Sequence, residues 1–349
     1  MTAELGIIEG FYGRVWSWAA RQAVVSRLAP RNYRFYIYAP KADLLLREHW
    51  QQEHPREEAE GLAQLSAHCR ANGVRFGVGL SPYEIYRNFD DAAKAALGKK
   101  LAWLDAIGID DLAILFDDMR GDLPKLAETQ ATIVHWARDH SKATRIVMCP
   151  SYYTDDPNID RFFGQRPENY LEDLGKLLDP AVEVFWTGEE TCAREFSPGH
   201  LRRVAQQIGR KPFLWDNYPV NDGPRMSQHL HLRAFTGRPA SIAPCIAAHA
   251  VNPALQPILS LIPALSLADS YEQGDAYEYG AAFLRAATAL GGAEFANTLQ
   301  RHTAVLQETG LDLLSDDSKE RLRKIYKKFD NDAAREVLAW LDGADTMRA

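Results

Sequence analysis

Two adjacent carboxylates, Asp117 and Asp118, end the run LAILFDD, which begins at Leu112. The apolar part of this run predicts a buried strand, and a buried charge is costly unless it is paired or used. Because side chains alternate across a strand, both carboxylates can reach one ligand only where the strand ends or bends. Two carboxylates that share a site resist double ionisation, which keeps a proton available. The pair therefore predicts acid–base chemistry at a strand end.

The adjacency of the two residues restricts the reaction that they could catalyse. Retaining glycosidases commonly place a nucleophile and an acid on opposite sides of the sugar, with carboxyl groups roughly 5–5.5 Å apart. Neighbouring residues cannot easily do this, whereas substrate-assisted hydrolysis needs no protein nucleophile, because the substrate's 2-acetamido oxygen attacks the anomeric carbon. One carboxylate would orient the acetamide N–H and the other would protonate the leaving oxygen. A helix cap or a cation site stays open as another use of the pair.

Eight apolar runs alternate with amphipathic segments of helical length, which is typical of a parallel sheet with crossover helices. The runs are LGIIEG, YRFYIYAP, VRFGVGLSP, LAILFDD, RIVMCP, VEVFWTG, PFLWDN and CIAAHAVNP. Asp122 with Pro124, and Ser197 with Pro198, are predicted to open two of the helices. Eight strand–helix pairs predict an α/β fold, a closed (β/α)8 TIM barrel over residues 1–268. The helical periodicity that follows predicts a C-terminal all-helical domain over residues 269–349.

Polar side chains follow most of these runs. In a (β/α)8 barrel the carboxyl ends of all strands meet at one face, and the loops after them build the active site. We therefore expect the residues after the runs to lie together in a sugar-sized pocket of acids, amides and aromatic groups. These residues are Lys41, Asp117, Asp118, Tyr153, Asn217, Asp222 and Asn252.

Composition narrows the classes of partner and compartment. The net charge of −7 disfavours a general nucleic-acid binder, which needs a basic surface. Four widely separated cysteines fit neither a metal-binding spacing nor a disulfide framework, so we expect a reducing compartment. The N-terminal residues MTAELGIIEG contain neither a basic leader nor a long apolar segment, and the most apolar region, 241–268, is interrupted by prolines. These features predict a cytoplasmic protein with no membrane association.

Six motifs occur in order: GIIEGFYGRVW, YAPKAD, LFDDM, CPSYY, WDNYPVND and VNP. Together they resemble the catalytic domain of glycoside hydrolase family 84, the O-GlcNAcase family, over about residues 4–256. Each motif alone would be weak, but six in order at barrel spacing form a specific signal. Val15 departs from the pattern, because a proline commonly follows GFYGR in this family.

The resemblance implies a retaining β-N-acetylglucosaminidase that hydrolyses terminal β-linked N-acetylglucosamine through an oxazoline intermediate, without a cofactor or metal. It makes Asp117 the residue that polarises the acetamide group and Asp118 the general acid and then the general base. The substrate would be a glycoside or a glycoprotein that carries N-acetylglucosamine. The resemblance also suggests that the C-terminal helices form a homodimer.

The resemblance further implies which residues bind the sugar. Tyr153 and Asn217 would hold the acetamide group and its cyclised form, and Asp222 would bind O4 and O6. The remaining assignments are contacts to O3 from Lys41 and the backbone of Gly10, a pocket lining of Trp215 and Cys149, and a further hydroxyl contact from Asn252.

Two other functions use the same residues. A non-catalytic or weakly active barrel could recognise N-acetylglucosamine with the same pocket, although the presence of both aspartates disfavours it. A metal-dependent hydrolase could use Asp117 and Asp118 as ligands, but no histidines follow the other predicted strands to complete such a site. The sequence leaves open which group is joined to the sugar in the natural substrate.

Overall fold

A computed structural model describes residues 3–347 of the chain. Eight parallel strands close into a barrel in the order of the sequence. All eight predicted strands are confirmed, and so is the (β/α)8 barrel. The strands are β1 Leu5–Glu9, β2 Tyr33–Tyr38, β3 Arg75–Leu80, β4 Asp111–Leu115, β5 Arg145–Cys149, β6 Glu183–Trp186, β7 Phe213–Asp216 and β8 His249–Val251.

Helices lie between the strands and follow the last one. They are α1 Trp18–Leu28, α2 Arg56–Ala71, α3 Asp91–Ile107, α4 Leu126–Asp139, α5 Asn158–Phe163, α6 Tyr170–Leu177, α7 Pro198–Gln207, α8 Gly223–Met226, α9 Leu261–Gln273, α10 Tyr279–Ala304, α11 Asp316–Tyr326 and α12 Asp332–Leu341. None of the helices within residues 3–347 combines the length and the apolar character needed to cross a membrane.

The two predicted helix starts have different outcomes. Ser197 caps α7 as predicted, because its Oγ accepts the backbone N–H of His200 at 3.1 Å and Pro198 occupies the first turn. The predicted start of α4 at Asp122 and Pro124 is wrong, since α4 begins only at Leu126. Lys125 has a left-handed backbone (φ 60°), which separates the proline from the helix.

The chain beyond the barrel is helical, as predicted. Helix α9 packs against both α1 of the barrel and α10, and α12 packs against α10 and α11. The predicted boundary at residue 268 lies within α9, which runs from Leu261 to Gln273. The division into residues 1–268 and 269–349 stays a prediction, and α9 links the two parts by continuous helix.

The two ends of the barrel differ in chemistry. Aromatic rings fill the interior, and Gly6 is required there because a Cβ would lie 2.2 Å from the Phe35 ring. At the N-terminal end, Arg145 lies 2.9 Å from Glu4, and Arg75 lies 3.0 Å from Asp111. Burial raises the pKa of the Asp111 carboxyl to about 6. This network of charges covers the N-terminal end, so the C-terminal end is the one available for a cleft.

One carboxyl joins the last helix to the barrel. The Glu336 oxygens on α12 accept the backbone N–H groups of Ile258 at 2.9 Å and Leu259 at 2.8 Å. Both donors belong to the loop after β8. Burial raises the pKa of the Glu336 carboxyl to about 8. The folded protein therefore holds this proton at pH values where the unfolded chain has lost it.

We expect this carboxyl to make the protein less stable as pH rises from about 4.5 to about 8, the interval over which only the folded state keeps the proton. Replacing Glu336 with Gln should remove this part of the pH dependence. Between pH 4.5 and 8, the midpoint of thermal unfolding should fall less for Glu336→Gln than for the wild type, and the two falls should differ by on the order of a few °C. Differential scanning calorimetry from pH 4.5 to 8.5 measures it. Glu320→Gln is the matched control, because Glu320 on α11 is 52% exposed; parallel curves for Glu336→Gln and the wild type would contradict the prediction.

Candidate active site

A single cleft at the C-terminal end of the barrel contains every residue predicted for the site. Its volume is about 570 Å³ including the open mouth. The structure thus brings together side chains from the ends of β1, β2, β4, β5, β7 and β8. The predicted residues that line it are Gly10, Lys41, Asp117, Asp118, Cys149, Tyr153, Trp215, Asn217, Asp222 and Asn252.

The backbone turns sharply where β4 ends. The Phe116 N–H still donates to the Cys149 carbonyl at 2.9 Å, which continues the pairing with β5. Asp118 then adopts a left-handed conformation with φ 56°, which aspartate tolerates better than most residues. The alternation of the strand is broken at this point, so Asp117 and Asp118 both line the cleft.

Asp117 has two oxygens in different environments. Its Oδ2 accepts a hydrogen bond from Lys41 Nζ in a buried ion pair. Within residues 3–347, its other oxygen, Oδ1, is buried and has no hydrogen-bond partner. A buried acceptor without a partner costs about 1–3 kcal/mol, and it can recover that energy from a donor on a ligand. Asp117 is therefore equipped to accept one N–H or O–H from a molecule in the cleft.

Asp118 lies between two tyrosine hydroxyls. Tyr12 donates to Oδ2 at 2.8 Å and Tyr153 donates to Oδ1 at 3.0 Å. Burial, and next the charge of Asp118, raise the pKa of both tyrosines, so both hydroxyls stay protonated donors. Arg47 also donates to the Asp118 carbonyl at 3.1 Å. The carboxyl group is thus held by both its oxygens and by its backbone.

Amide groups form the opposite wall. Asn217 Oδ1 accepts Trp215 Nε1 at 3.0 Å and Asn252 Nδ2 at 2.9 Å, while Asn217 Nδ2 donates to the Thr191 carbonyl at 2.8 Å. Asn252 Oδ1 in turn accepts the Gly10 N–H at 3.1 Å. A Cβ at Gly10 would lie 2.2 Å from the Trp215 ring, so glycine is required where this ring enters the cleft.

Two further predicted residues complete the lining. Asp222 Oδ2 accepts the Tyr12 backbone N–H at 2.7 Å, and burial raises the pKa of this carboxyl. Cys149 is buried, and burial raises the pKa of its thiol well above the ordinary value. The Cys149 thiol is therefore protonated near neutral pH, and it serves as lining and not as a nucleophile.

Sequence reasoning missed five lining residues: Tyr12, Thr187, Thr191, Cys192 and Val220. Tyr12 lies inside the GFYGR motif directly after β1, so its position and its aromatic hydroxyl were the available signal. Thr187, Thr191 and Cys192 come from the loop after β6, TGEETC. The most prominent residues of this loop are its two glutamates, so its smaller side chains gave little indication of a role.

A buried ion pair fixes the strand ends behind the amide wall. Asp216 and Arg238 have 0% and 5% exposed side chains, and the guanidinium contacts both carboxylate oxygens, at 2.8 and 2.7 Å. His249 Nε2 lies 3.0 Å from Asp216 Oδ2. Nearby Arg238, together with hydrogen bonds, lowers the pKa of Asp216 although burial opposes this. Asp216 directly precedes Asn217, so the pair supports the amide wall.

The donor groups of the described part of the chain do not resemble a metal site. Among residues 3–347, no group of three or more His, Cys, Asp and Glu side chains is arranged to hold a metal ion. The groups that line the cleft are instead three carboxyls with amine, hydroxyl or backbone N–H partners, amides, and aromatic rings. Such a set can bind a polar, uncharged ligand with hydroxyl and amide groups.

Comparison with known proteins gives one consistent result. Residues 5–304 match the model of a family described as beta-N-acetylglucosaminidase. The protein O-GlcNAcases of mouse and rat are 29% and 28% identical to the chain over 260 residues, which are 71% of this chain. The chain spans only 28% of the length of each of these relatives. The solved structure of a mutant O-GlcNAc hydrolase from Thermobaculum terrenum is 26% identical, has a TM-score of 0.78, and is matched over 96% of this chain and 72% of that one.

We expect Arg238→Met to lower the free energy of unfolding by about 3–5 kcal/mol, because it leaves the Asp216 carboxylate buried without its cation. Urea denaturation followed by circular dichroism measures the change. Arg56→Met is the matched control, since Arg56 is 93% exposed and, in the described part of the chain, pairs only with Glu60 on the same helix. This control should change stability by less than about 0.5 kcal/mol. An equal, small effect of the two substitutions would show that the buried pair contributes no more than a surface pair.

Proposed function

The chain belongs to the beta-N-acetylglucosaminidase family, and on this premise we propose that it is a retaining hydrolase of terminal β-linked N-acetylglucosamine. The observation that carries the proposal is the unlike environment of the two adjacent carboxyls. Asp117 presents a buried oxygen that has no partner among residues 3–347, which suits the N–H of an acetamide group. Asp118, the next residue, has two hydroxyl partners and no ammonium partner at its carboxyl oxygens within residues 3–347, which suits a group that exchanges a proton.

In the first proposed step, Asp117 Oδ1 accepts the acetamide N–H and turns the acetamide oxygen toward the anomeric carbon. The oxygen attacks that carbon, the bond to the leaving oxygen breaks, and Asp118 gives its proton to the leaving oxygen. The acetamide N–H proton stays near Asp117, whose negative charge stabilises the positive charge of the closing ring. Because that proton remains on the nitrogen, the product is a protonated oxazoline (an oxazolinium ion) fused to the sugar and paired with the Asp117 carboxylate, and the leaving group departs as an alcohol.

In the second proposed step, Asp118 acts as a base. It takes a proton from a water molecule, and the resulting oxygen nucleophile attacks the anomeric carbon from the side that the leaving group vacated. The ring C–O bond breaks and restores the acetamide group. Each step inverts the anomeric centre, so the two together retain its configuration.

The remaining lining groups are proposed to hold the sugar in place for these steps. Asp222 is the acceptor for O4 and O6, while Lys41 and the backbone of Gly10 contact O3. The Trp215 ring supplies an apolar surface of the kind on which the C–H groups of a sugar ring pack. Tyr153 and Asn217 enclose the acetamide group, with Cys149 behind them and Asn252 at the hydroxyls. Holding the reacting atoms close is worth several kcal/mol in such intramolecular reactions.

The environment of the protein follows from the same proposal. All four cysteines are free thiols, which supports a reducing compartment such as the cytoplasm. The mouse and rat relatives are named protein O-GlcNAcases, and we propose a glycoprotein as one candidate substrate for this chain. A homodimer through the C-terminal helices stays a prediction. Profiling β-linked N-acetylglucosaminides that include a modified peptide would identify the aglycone.

One assay tests the proposed function against its alternatives. The protein is incubated with an aryl β-N-acetylglucosaminide, with and without EDTA. We expect cleavage that is unaffected by the chelator. Binding of free N-acetylglucosamine without cleavage would identify a recognition module, and loss of turnover with EDTA would identify a metal-dependent hydrolase.

The two aspartates should respond differently to the leaving group. Asp118→Asn should lose about 10²-fold or more in kcat/KM on substrates with poor leaving groups, because they need protonation. It should lose far less on substrates with acidic leaving groups. Asp117→Asn should lose activity on both kinds, since attack by the acetamide oxygen accompanies departure of either kind of leaving group. Steady-state kinetics on a series of aryl glycosides measures how steeply kcat/KM depends on the acidity of the leaving group. Equal losses for Asp118→Asn across the series would overturn the assignment of Asp118 as the acid.

Fluorination of the acetamide group tests the nucleophile. Each added fluorine makes the carbonyl oxygen a poorer nucleophile, so kcat/KM should fall in the order acetyl, fluoroacetyl, difluoroacetyl. The leaving group is kept the same in all three substrates. Rates that do not depend on fluorination would argue against attack by the neighbouring group.

A further inference from the structure

The last described residues of the chain lie against loops that form the cleft. The Met347 backbone N–H donates to Ser227 Oγ at 2.9 Å, and Met347 Sδ accepts the Gly223 N–H at 3.0 Å. Gly223 directly follows Asp222, which lines the cleft. A residue more than 120 positions away along the chain thus holds the backbone beside a predicted sugar-binding carboxylate.

The same side chain also contacts the loop after β1. Gly13 has a φ of 102°, and a Cβ at this position would lie 3.1 Å from Met347 Sδ. The neighbouring residue, Arg14, lies 3.3 Å from Asp345, but its side chain is 74% exposed, so this ion pair contributes little. The methionine therefore provides a second contact between this segment and the loop that carries Tyr12.

Helix α12 adds two more contacts to the same face of the barrel. Trp340 Nε1 donates to the Ser227 carbonyl at 3.2 Å, so Ser227 is held through both its backbone and its side chain. Glu336 accepts the N–H groups of Ile258 and Leu259 in the loop after β8. We refer to Glu336, Trp340 and Met347 as the C-terminal clasp. It contacts the loops after β1, β7 and β8, each of which supplies residues to the cleft.

These loops have little regular structure of their own. Helix α8 has four residues, and residues 10–17 form neither helix nor strand. Loops hold catalytic geometry only when packing or hydrogen bonds outside the site fix them. A connected path runs from Met347 through Gly223 and Asp222 to the Tyr12 backbone N–H, and from the Tyr12 hydroxyl to Asp118.

We propose that Met347 is a positioning residue for sugar binding, which acts by fixing Asp222 and Tyr12 through the C-terminal clasp. The proposal rests on the proposed function, because it takes Asp222 as a contact of the sugar. Met347 itself touches no part of the ligand in this scheme. Its loss leaves every cleft side chain present but lets the loops after β1 and β7 move apart.

The test compares Met347→Ala and Met347→Leu with the wild type in the 349-residue chain. We measure kcat and KM on an aryl β-N-acetylglucosaminide, and the Kd of free N-acetylglucosamine by titration calorimetry. Met347→Ala should raise both KM and Kd about 5-fold or more and change kcat less than about twofold. Met347→Leu keeps the bulk against Gly13 but loses the sulfur acceptor, so its effect should be smaller. Leu313→Ala, at a residue of the helical region that is 75% exposed, is the control.

A double-mutant cycle separates positioning from general destabilisation. If Met347 acts through Asp222, Met347→Ala should raise the Kd little further in an Asp222→Ala background. Fully additive effects would overturn the proposal, as would a Met347→Ala variant that unfolds at a lower temperature yet keeps the KM and Kd of the Leu313→Ala control. A wild type that neither cleaves the glycoside nor binds the sugar is a different outcome, because it overturns the proposed function itself.

Discussion

The site depends on one backbone constraint, which is that two successive side chains must face the same cavity. A continuing strand would turn Asp118 away from Asp117, because side chains alternate. The left-handed turn at Asp118 removes that alternation just after β4 ends. Aspartate accepts this conformation at low cost, whereas a β-branched residue would be strained there. The chemistry that a pair of adjacent acids can perform is therefore set by a single backbone dihedral angle at the end of a strand.

With both carboxyls in one cavity, their roles are separated by their neighbours. Lys41 compensates the charge of Asp117 on one oxygen and leaves the other available to a ligand. Within residues 3–347, the carboxyl oxygens of Asp118 accept only from neutral hydroxyl groups, those of Tyr12 and Tyr153. A carboxyl held by an ammonium group suits a constant negative charge, and one held by hydroxyls can gain and lose a proton with little rearrangement. Two residues of the same type thus differ because the loop after β2 supplies the partner of Asp117, whereas the loops after β1 and β5 supply those of Asp118.

Most of the fold and the site could be predicted from the sequence, for a topological reason. Once the apolar runs predict a (β/α)8 barrel, the carboxyl ends of all strands must meet at one face. Residues as far apart in the sequence as Lys41 and Asn252 are therefore expected in one site. Features that depend on backbone conformation were not predicted, including the left-handed turns at Asp118 and Lys125. The contact of the C-terminal segment with the cleft loops was not predicted either, since nothing near Met347 in the sequence indicates a contact with Gly223.

Two buried ion pairs outside the cleft show how a barrel can fix the strand ends that carry such a site. Glu9 and Asp216 are the last residues of β1 and β7, and both are fully buried. Both oxygens of Glu9 accept hydrogen bonds from Arg21, and both oxygens of Asp216 accept them from Arg238. Apolar residues of equal volume would often stabilise a core as well as a buried ion pair does. What a bidentate pair adds is a fixed orientation of the strand end. The next residues, Gly10 and Asn217, line the cleft. The buried pairs therefore act on function through geometry, since each one fixes the strand end from which a ligand-facing group projects.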